Sequence, residues 1–233
     1  MAEATLYLLP VWLGDGGGIE LLPPNNIAIA ERVTLFFCEH EKTARQMLRR
    51  MSKAIDLNAI DLHRLDKDTE ASEISAYATL LHDREAAIIS EAGMPCIADP
   101  GARLVAEAHG RGVRVVPLSG PSSLLLALAA SGMNGQHFTF HGYLPREPAP
   151  RKQAIRKLES EVQRTSGAQL FIETPYRNDV MLADVLVSCD PRTRLCIAID
   201  LDQQGGSVVT RSIAEWRLAK PTLGKRPCVF LLG

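Results

Sequence analysis

The chain has no excess of either charge: 26 Lys and Arg stand against 27 Asp and Glu in 233 residues, a formal net charge of −1. Without a basic surplus the molecule as a whole is not built to hold polyanions, so any nucleic-acid surface has to be local. Aromatic residues make up only 5% of the chain, which leaves little for stacking bases. No apolar run approaches the length of a membrane span, since Leu118 to Met133 is broken by Ser119, Gly120, Pro121, Ser122 and Ser123. The start, Met1-Ala2-Glu3-Ala4-Thr5, has no basic segment ahead of an apolar one, and a cytoplasmic address with no membrane partner is expected. Cys38, Cys96, Cys189, Cys196 and Cys228 are odd in number, scattered and free of any Cys-x-x-Cys pair. That pattern argues against a disulfide framework and a zinc knuckle and predicts buried thiols. His137 and His141 stand at the spacing of helical ligands, but Phe138-Thr139-Phe140 between them alternates like a strand, so no metal is expected.

What is present is enough apolar material, 46% of residues, to bury the core of one large domain or two modest ones. The most informative segment is Ser90-Glu91-Ala92-Gly93-Met94-Pro95-Cys96-Ile97-Ala98-Asp99-Pro100-Gly101. Glycine, proline and small residues crowd the end of the short apolar run Ala86-Ala87-Ile88-Ile89, and helical spacing resumes from Ala102 to Ala108. This reads as a strand-to-helix loop, and ligands of open parallel sheets gather at such carboxyl ends. The glycines of Gly14-Asp15-Gly16-Gly17-Gly18 invite comparison with a phosphate-gripping loop. No Lys-Ser/Thr follows them and Ile19 to Pro24 ends in two prolines, so an entrance loop is the better reading.

Strand and helix alternate along the first half. Strands are expected at Thr5–Leu9, 33–38, 86–90 and 112–117, and helices at 26–32, 43–53, up to Leu81, 102–108 and 124–130. The acidic stretch Asp56 to Glu73 carries no expected strand. This order predicts a parallel α/β domain over residues 1–117 and a second α/β domain over 118–233, with the proline-rich 142–150 stretch as a hinge and the latest place for the boundary. The second domain is expected to hold a basic helix 151–164, strands at 168–173, 194–200, 208–210 and 228–232, and a helix at 178–188.

Five ordered segments carry a resemblance that spans almost the whole chain: Thr5-Leu6-Tyr7-Leu8-Leu9-Pro10; Glu91 to Gly101; Val115-Val116-Pro117-Leu118-Ser119-Gly120-Pro121-Ser122-Ser123; Phe140-His141-Gly142-Tyr143-Leu144-Pro145-Arg146; and Phe171-Ile172-Glu173-Thr174-Pro175-Tyr176-Arg177. On these the chain resembles the tetrapyrrole methylase superfamily of S-adenosylmethionine-dependent methyltransferases. Within it the chain is most similar to the branch that methylates a cytidine ribose 2′-hydroxyl in small-subunit ribosomal RNA, a step of rRNA processing. The resemblance implies two α/β domains with the cofactor cleft between them, and a homodimer. It also implies a donor pocket lined by Pro10, Gly93, Met94, Pro95, Ile97, Ala98, Asp99, Ser122, Ser123, Phe171, Ile172 and Glu173. Adenosylmethionine suits such a pocket, because its adenine wants apolar neighbours, its ribose and amino-acid ends want hydrogen bonds, and it carries no phosphate.

Methyl transfer to a ribose hydroxyl needs aligned reactants and a group to take the proton, but no covalent residue. Glu39 and His40 are the catalytic candidates, with Asp99 and Glu173 as further carboxylates on matched segments. Glu39-His40-Glu41-Lys42 departs from the branch's acidic pair followed by Thr-Arg, placing His40 where a second acid is expected, and Ala198 to Gln204 lacks the cations of the corresponding branch segment. Phosphate contacts are expected instead from Arg146, Arg151 and Lys152, backed by Arg156, Lys157 and Arg164. Trp12, Tyr143 and Tyr176 are the aromatics in matched loops. Two other readings stay open: a cofactor-binding homologue without turnover, and a tetrapyrrole C-methyltransferase. The latter is disfavoured because Met94 stands where porphyrinoid-modifying relatives put an acid.

Overall fold

The computed structural model describes residues 4–233; Met1, Ala2 and Glu3, on which part of the N-terminal reading rests, lie outside the described residues. The chain divides into two compact units, one ending at Ser122 and the other running from Ser123 to Gly233.

In the first unit the strands are β1 (Thr5–Leu9), β2 (Leu35–Cys38), β3 (Asp61–Arg64), β4 (Glu85–Ile89) and β5 (Arg114–Pro117). The helices are α1 (Pro24–Arg32), α2 (Glu41–Met51), α3 (Ala71–Leu80) and α4 (Ala102–Gly110). The sheet is parallel throughout, in the order β3-β2-β4-β1-β5. Its inner strands are almost wholly buried and read as apolar runs because both faces are covered. Tyr7, Leu9, Phe36, Ala87 and Ile89 pack with α1 and α2 through Ile29, Ala44 and Leu48. Their alternate neighbours Leu6, Leu35, Phe37, Ala86 and Ile88 pack with α3 and α4 through Ile74, Ala78 and Leu104. Alternation along each strand therefore assigns α1 and α2 to one face and α3 and α4 to the other.

The segment 56–73, expected to carry no strand, contains β3. Asp61-Leu62-His63-Arg64 has a single aliphatic residue and becomes a strand by pairing with β2, Leu35 opposite Asp61 and Cys38 opposite Arg64. Its charged ends suit an edge strand.

The second unit comprises α5 (Ser123–Ala130), β6 (Phe138–Tyr143), α6 (Pro148–Thr165), β7 (Ala168–Ile172), α7 (Asn178–Ser188), β8 (Arg194–Ile199), β9 (Ser207–Ser212), α8 (Ile213–Leu218) and β10 (Cys228–Leu232). The order β6-β7-β10-β8-β9 is mixed: β6 and β7 are parallel and the other pairs antiparallel. Phe171, Ile197 and Phe230 face α6, α7 and α8, whereas Leu170, Ala198 and Leu231 face α5. Residues 142–150 are not an independent hinge: Gly142 and Tyr143 end β6, and Pro148 opens α6 at a position where its missing N–H costs nothing. The short α8 has no counterpart among the expected elements. It carries a capping box in which the Ser212 hydroxyl accepts from the Glu215 N–H at 3.2 Å and the Glu215 carboxylate accepts from the Ser212 N–H at 2.8 Å.

No helix among the described residues is long and apolar enough to cross a membrane.

Candidate functional site

The chain leaves β1 toward β2 by way of α1 on one face, and leaves β4 toward β5 by way of α4 on the other. Adjacent strands whose connections depart to opposite faces open a crevice at their carboxyl ends, the place where open α/β sheets bind ligands. The loops after β1 and β4 meet there, the Val11 N–H donating to the Gly93 carbonyl at 2.9 Å. The loop after β5 is tied in by the buried Asn26 of α1, whose amide donates to the Ser119 carbonyl at 2.8 Å. Pro10 lies against Gly120. Gly93 adopts φ +69° with a Cβ position only 3.0 Å from Leu13 and 3.2 Å from the Pro121 carbonyl oxygen, so glycine answers both the conformation and the crowding.

From Gly93 to Gly101 the main chain belongs to neither helix nor strand. Cys96 and Ala98 adopt φ +67° and +62°, left-handed conformations that cost non-glycine residues free energy and concentrate at ligand sites. The turns leave Ile97 49% exposed and Ala98 uncovered, with Met94 half-buried, apolar groups suited to a ring such as adenine. Pro95 is buried within the loop. Ser122, 9% exposed, and Ser123, at the start of α5, close the first unit and open the second. A cavity of about 340 Å³ shares Ala98 and Asp99 with this loop and extends along Leu65-Asp66-Lys67 and Arg103.

Gly101 takes φ +129°, outside the range of L-residues, and a Cβ there would fall 2.6 Å from the Cys96 sulfur. We therefore expect Gly101→Ala to destabilise the fold by about 1–3 kcal/mol and to deform the loop. Gly110, at the far end of the same helix with nothing within 4 Å, is the control. Gly110→Ala should be neutral or slightly stabilising in denaturant titrations.

The polar side of the site is acidic. β2 pairs with β4, Phe37 opposite Ile88, so Glu39 after β2 comes beside Ser90 and Glu91 after β4. Burial pushes the Glu39 carboxyl up to about 7, the charges of Asp99, Glu91 and Asp66 adding to the shift and His40 opposing it. Asp99 is also raised, by burial and Glu91, against the hydrogen bond it accepts from the Ser90 hydroxyl. His40 is exposed, its Nδ1 2.8 Å from Glu91 Oε1. A carboxyl poised near neutrality in a cleft can take a proton in the working pH range. Burial raises the thiols of Cys38 and Cys96 to about 12 and about 11, so neither is a ready nucleophile.

Most of the other expected residues lie in the second unit. Phe171 is fully buried, paired with Phe230 of β10 and stacked on its ring with centroids 5.4 Å apart, so its side chain serves the core of this unit. Ile172 is half-buried, and the buried Glu173 accepts from the Thr174 N–H at 2.7 Å and pairs with Arg177. Arg151 does not offer its charge to a phosphate. It is 3% exposed, with Nε 2.7 Å and Nη2 2.6 Å from Asp184 Oδ2, and it donates to the Arg146 carbonyl. Lys152 leans on the same carboxylate at 3.4 Å, while Arg146 is exposed. Trp12, an expected stacking aromatic, is buried at 2% exposure, whereas Tyr143 and Tyr176 are open. The segment 198–204, read as poor in cations, receives one from the chain just before β10: Arg226 Nε lies 2.5 Å from Asp200 Oδ2.

The profile of the tetrapyrrole (corrin/porphyrin) methylases matches residues 14–199. The ribosomal RNA small subunit methyltransferase I of Xylella fastidiosa is 33% identical over 181 residues, covering 78% of this chain and 62% of that protein. Its namesake from Micromonospora olivasterospora is 34% identical over 183 residues, covering 78% and 55%. The chain thus spans less than two thirds of the length of these relatives. Among solved structures, the methyltransferase CobJ superposes with a TM-score of 0.62 at 18% identity, over 98% of this chain and 92% of its own.

Proposed function

The chain belongs to the tetrapyrrole methylase family, and from that premise we propose that it transfers a methyl group from S-adenosylmethionine to a ribose 2′-hydroxyl of small-subunit ribosomal RNA. The observation that carries this reading is Glu39, a carboxyl held near pH 7 at the carboxyl edge of the sheet beside the Gly93–Gly101 loop. The residues fit the donor. Main chain outside any ladder can meet its polar ends, Met94, Ile97 and Ala98 offer an apolar bed for adenine, and no phosphate site is required.

When bound, adenosylmethionine supplies a methyl group on a positively charged sulfur, which an aligned oxygen displaces without a covalent enzyme intermediate. Holding donor and acceptor in line is the work of the convergent loops, and such positioning is worth several kcal/mol of the barrier. As the oxygen–carbon bond forms and the carbon–sulfur bond breaks, the hydroxyl proton passes to the Glu39 carboxylate. Asp99 and Glu91 keep that carboxylate basic enough to accept it. His40 positions Glu91 through their 2.8 Å contact. Small-subunit RNA as acceptor is supported by the relatives' names, with homodimerisation and a cytoplasmic address part of the same proposal.

Titration calorimetry with adenosylmethionine and transfer of labelled methyl to purified small ribosomal subunits, their naked RNA and a tetrapyrrole test the reading together. We expect donor binding and label in RNA at a linkage that resists alkaline cleavage, since a methylated 2′-oxygen cannot attack its phosphate. No heat at millimolar donor removes the cofactor; label in the tetrapyrrole alone replaces the acceptor; binding without transfer leaves a non-catalytic homologue.

A further inference from the structure

α2 concentrates charge that the fold does not neutralise. Lys42, Arg45, Arg49, Arg50 and Lys53 fall on or just beyond this helix, and no acid interrupts residues 42–53. Among the described residues none of the five has a carboxylate within ion-pair distance, whereas Arg32, Arg64, Arg84, Arg151, Arg177 and Arg226 each do. The α2 guanidiniums are instead fixed by main-chain carbonyls: Arg45 donates to Leu57 at 2.8 Å, Arg49 to Lys53 at 3.3 Å and Arg50 to Gly17 at 2.8 Å. Carbonyls orient a guanidinium without cancelling its charge. Arg50 also lies over the Trp12 ring at 4.4 Å, tying the loop after β1 to the helix.

Spacing places Lys42, Arg45 and Arg49 in one row along the helix, opposite the buried row Ala44, Leu48 and Met51, and the exposed Lys53 follows in the turn just beyond its end. Beside it Arg45, Gln46, Arg49, Arg50 and Leu57 line an open groove of about 480 Å³. The helix dipole accounts for arginines in the last turn but disfavours Lys42 and Arg45 nearer the N-terminus, so the row is not explained by helix stability. α2 begins two residues after Glu39, so the row starts at the proposed site. α6 offers less: Arg151 is buried, Lys152 is tied to Asp184, and Arg164 is paired with Glu161.

We infer that the outer face of α2 is a phosphate-contact surface for the ribose–phosphate backbone of a structured RNA. This rests on the RNA acceptor proposed above. Orientation by carbonyls, charge unmatched by acids and a groove walled by arginine side chains are what backbone contact requires, and they give register without reading sequence.

The test is fluorescence anisotropy of a labelled small-subunit rRNA transcript across a potassium chloride series. It compares the wild-type chain with Lys42→Gln/Arg49→Gln/Lys53→Gln and with the α6 variant Arg156→Gln/Lys157→Gln. Arg45 and Arg50 are spared because their side chains hold Leu57 and the loop after β1 in place. The triple variant should keep its thermal midpoint by circular dichroism, bind RNA more weakly, and flatten the slope of log affinity on log salt by roughly 0.7–0.9 for each phosphate it no longer neutralises. The α6 variant should retain the wild-type slope. An unchanged slope in the triple variant, a slope flattened in the α6 variant instead, or a wild-type chain that binds no RNA overturns the inference. RNA methylation with an unimpaired α2 variant defeats this inference alone, whereas donor binding without RNA methylation defeats the reading beneath it.

Discussion

Replacing Glu39 by Gln is expected to lower methyl transfer by about 10²–10⁴-fold, the range in which a positioned general base contributes, while donor binding persists. The pH dependence carries the sharper signature. A base works only when deprotonated, so wild-type kcat/KM should rise with pH and level off above about 7, where burial and the neighbouring Asp99 and Glu91 have moved the Glu39 carboxyl. The residual activity of Glu39→Gln should lack that rise. His40 opposes the shift, so His40→Ala should carry the inflection still higher.

The same carboxyl leaves a mark on stability that no activity assay is needed to read. Its native pKa of about 7 lies above the ordinary 4.5, so its favourable contribution is complete below pH 4.5 and is lost as pH climbs through 7. At pH 8 the wild-type chain holds a charge that its surroundings disfavour, and a neutral Gln does not. Glu39→Gln should therefore melt higher than wild type at pH 8 and about level with it at pH 4, below the unfolded-state value. A variant as sensitive to pH as the wild type would show that the carboxyl titrates at its ordinary value and that the proposed base has no basis.

How far the sequence discloses all this depends on whether a feature is local. β1, α7 and β10 have the boundaries that their apolar runs and flanking breakers predict, because those signals lie within the element itself. β3 is hidden because its strand character comes from β2. α8 is legible in principle, its Ser212-Ile213-Ala214-Glu215 being the capping-box pattern, but six residues after a strand are easily absorbed into it. At the site, the glycine and proline spacing of 90–101 is a local statement about backbone. The acidity of Glu39 is not, since it depends first on burial and then on the charges of Asp99 and Glu91, which the pairing of β2 with β4 and the loop that follows β4 bring near. Charge is the least local property of all. Arg151 and Arg49 are equally basic on paper, and only the fold reveals that one faces a carboxylate and the other does not.

Arg151 makes that distinction measurable. Arg151→Gln should destabilise the chain by about 3–5 kcal/mol, toward the lower end because Lys152 remains 3.4 Å from the abandoned Asp184 carboxylate. The loss has two parts: Asp184 stays largely buried with a weaker partner, and the carbonyls of Pro145 and Arg146, which fix the approach to α6, lose their donor. A phosphate ligand would behave in the opposite way, since its neutralisation would leave the denaturant midpoint alone and weaken RNA binding. Replacing both members by apolar residues, Arg151→Met with Asp184→Leu, should recover much of the stability, because an apolar pair of similar volume is spared the desolvation that both charges bear. If Arg151→Gln melts like the wild type, the pair is no staple, and the guanidinium returns to the pool of cations available to a polyanion.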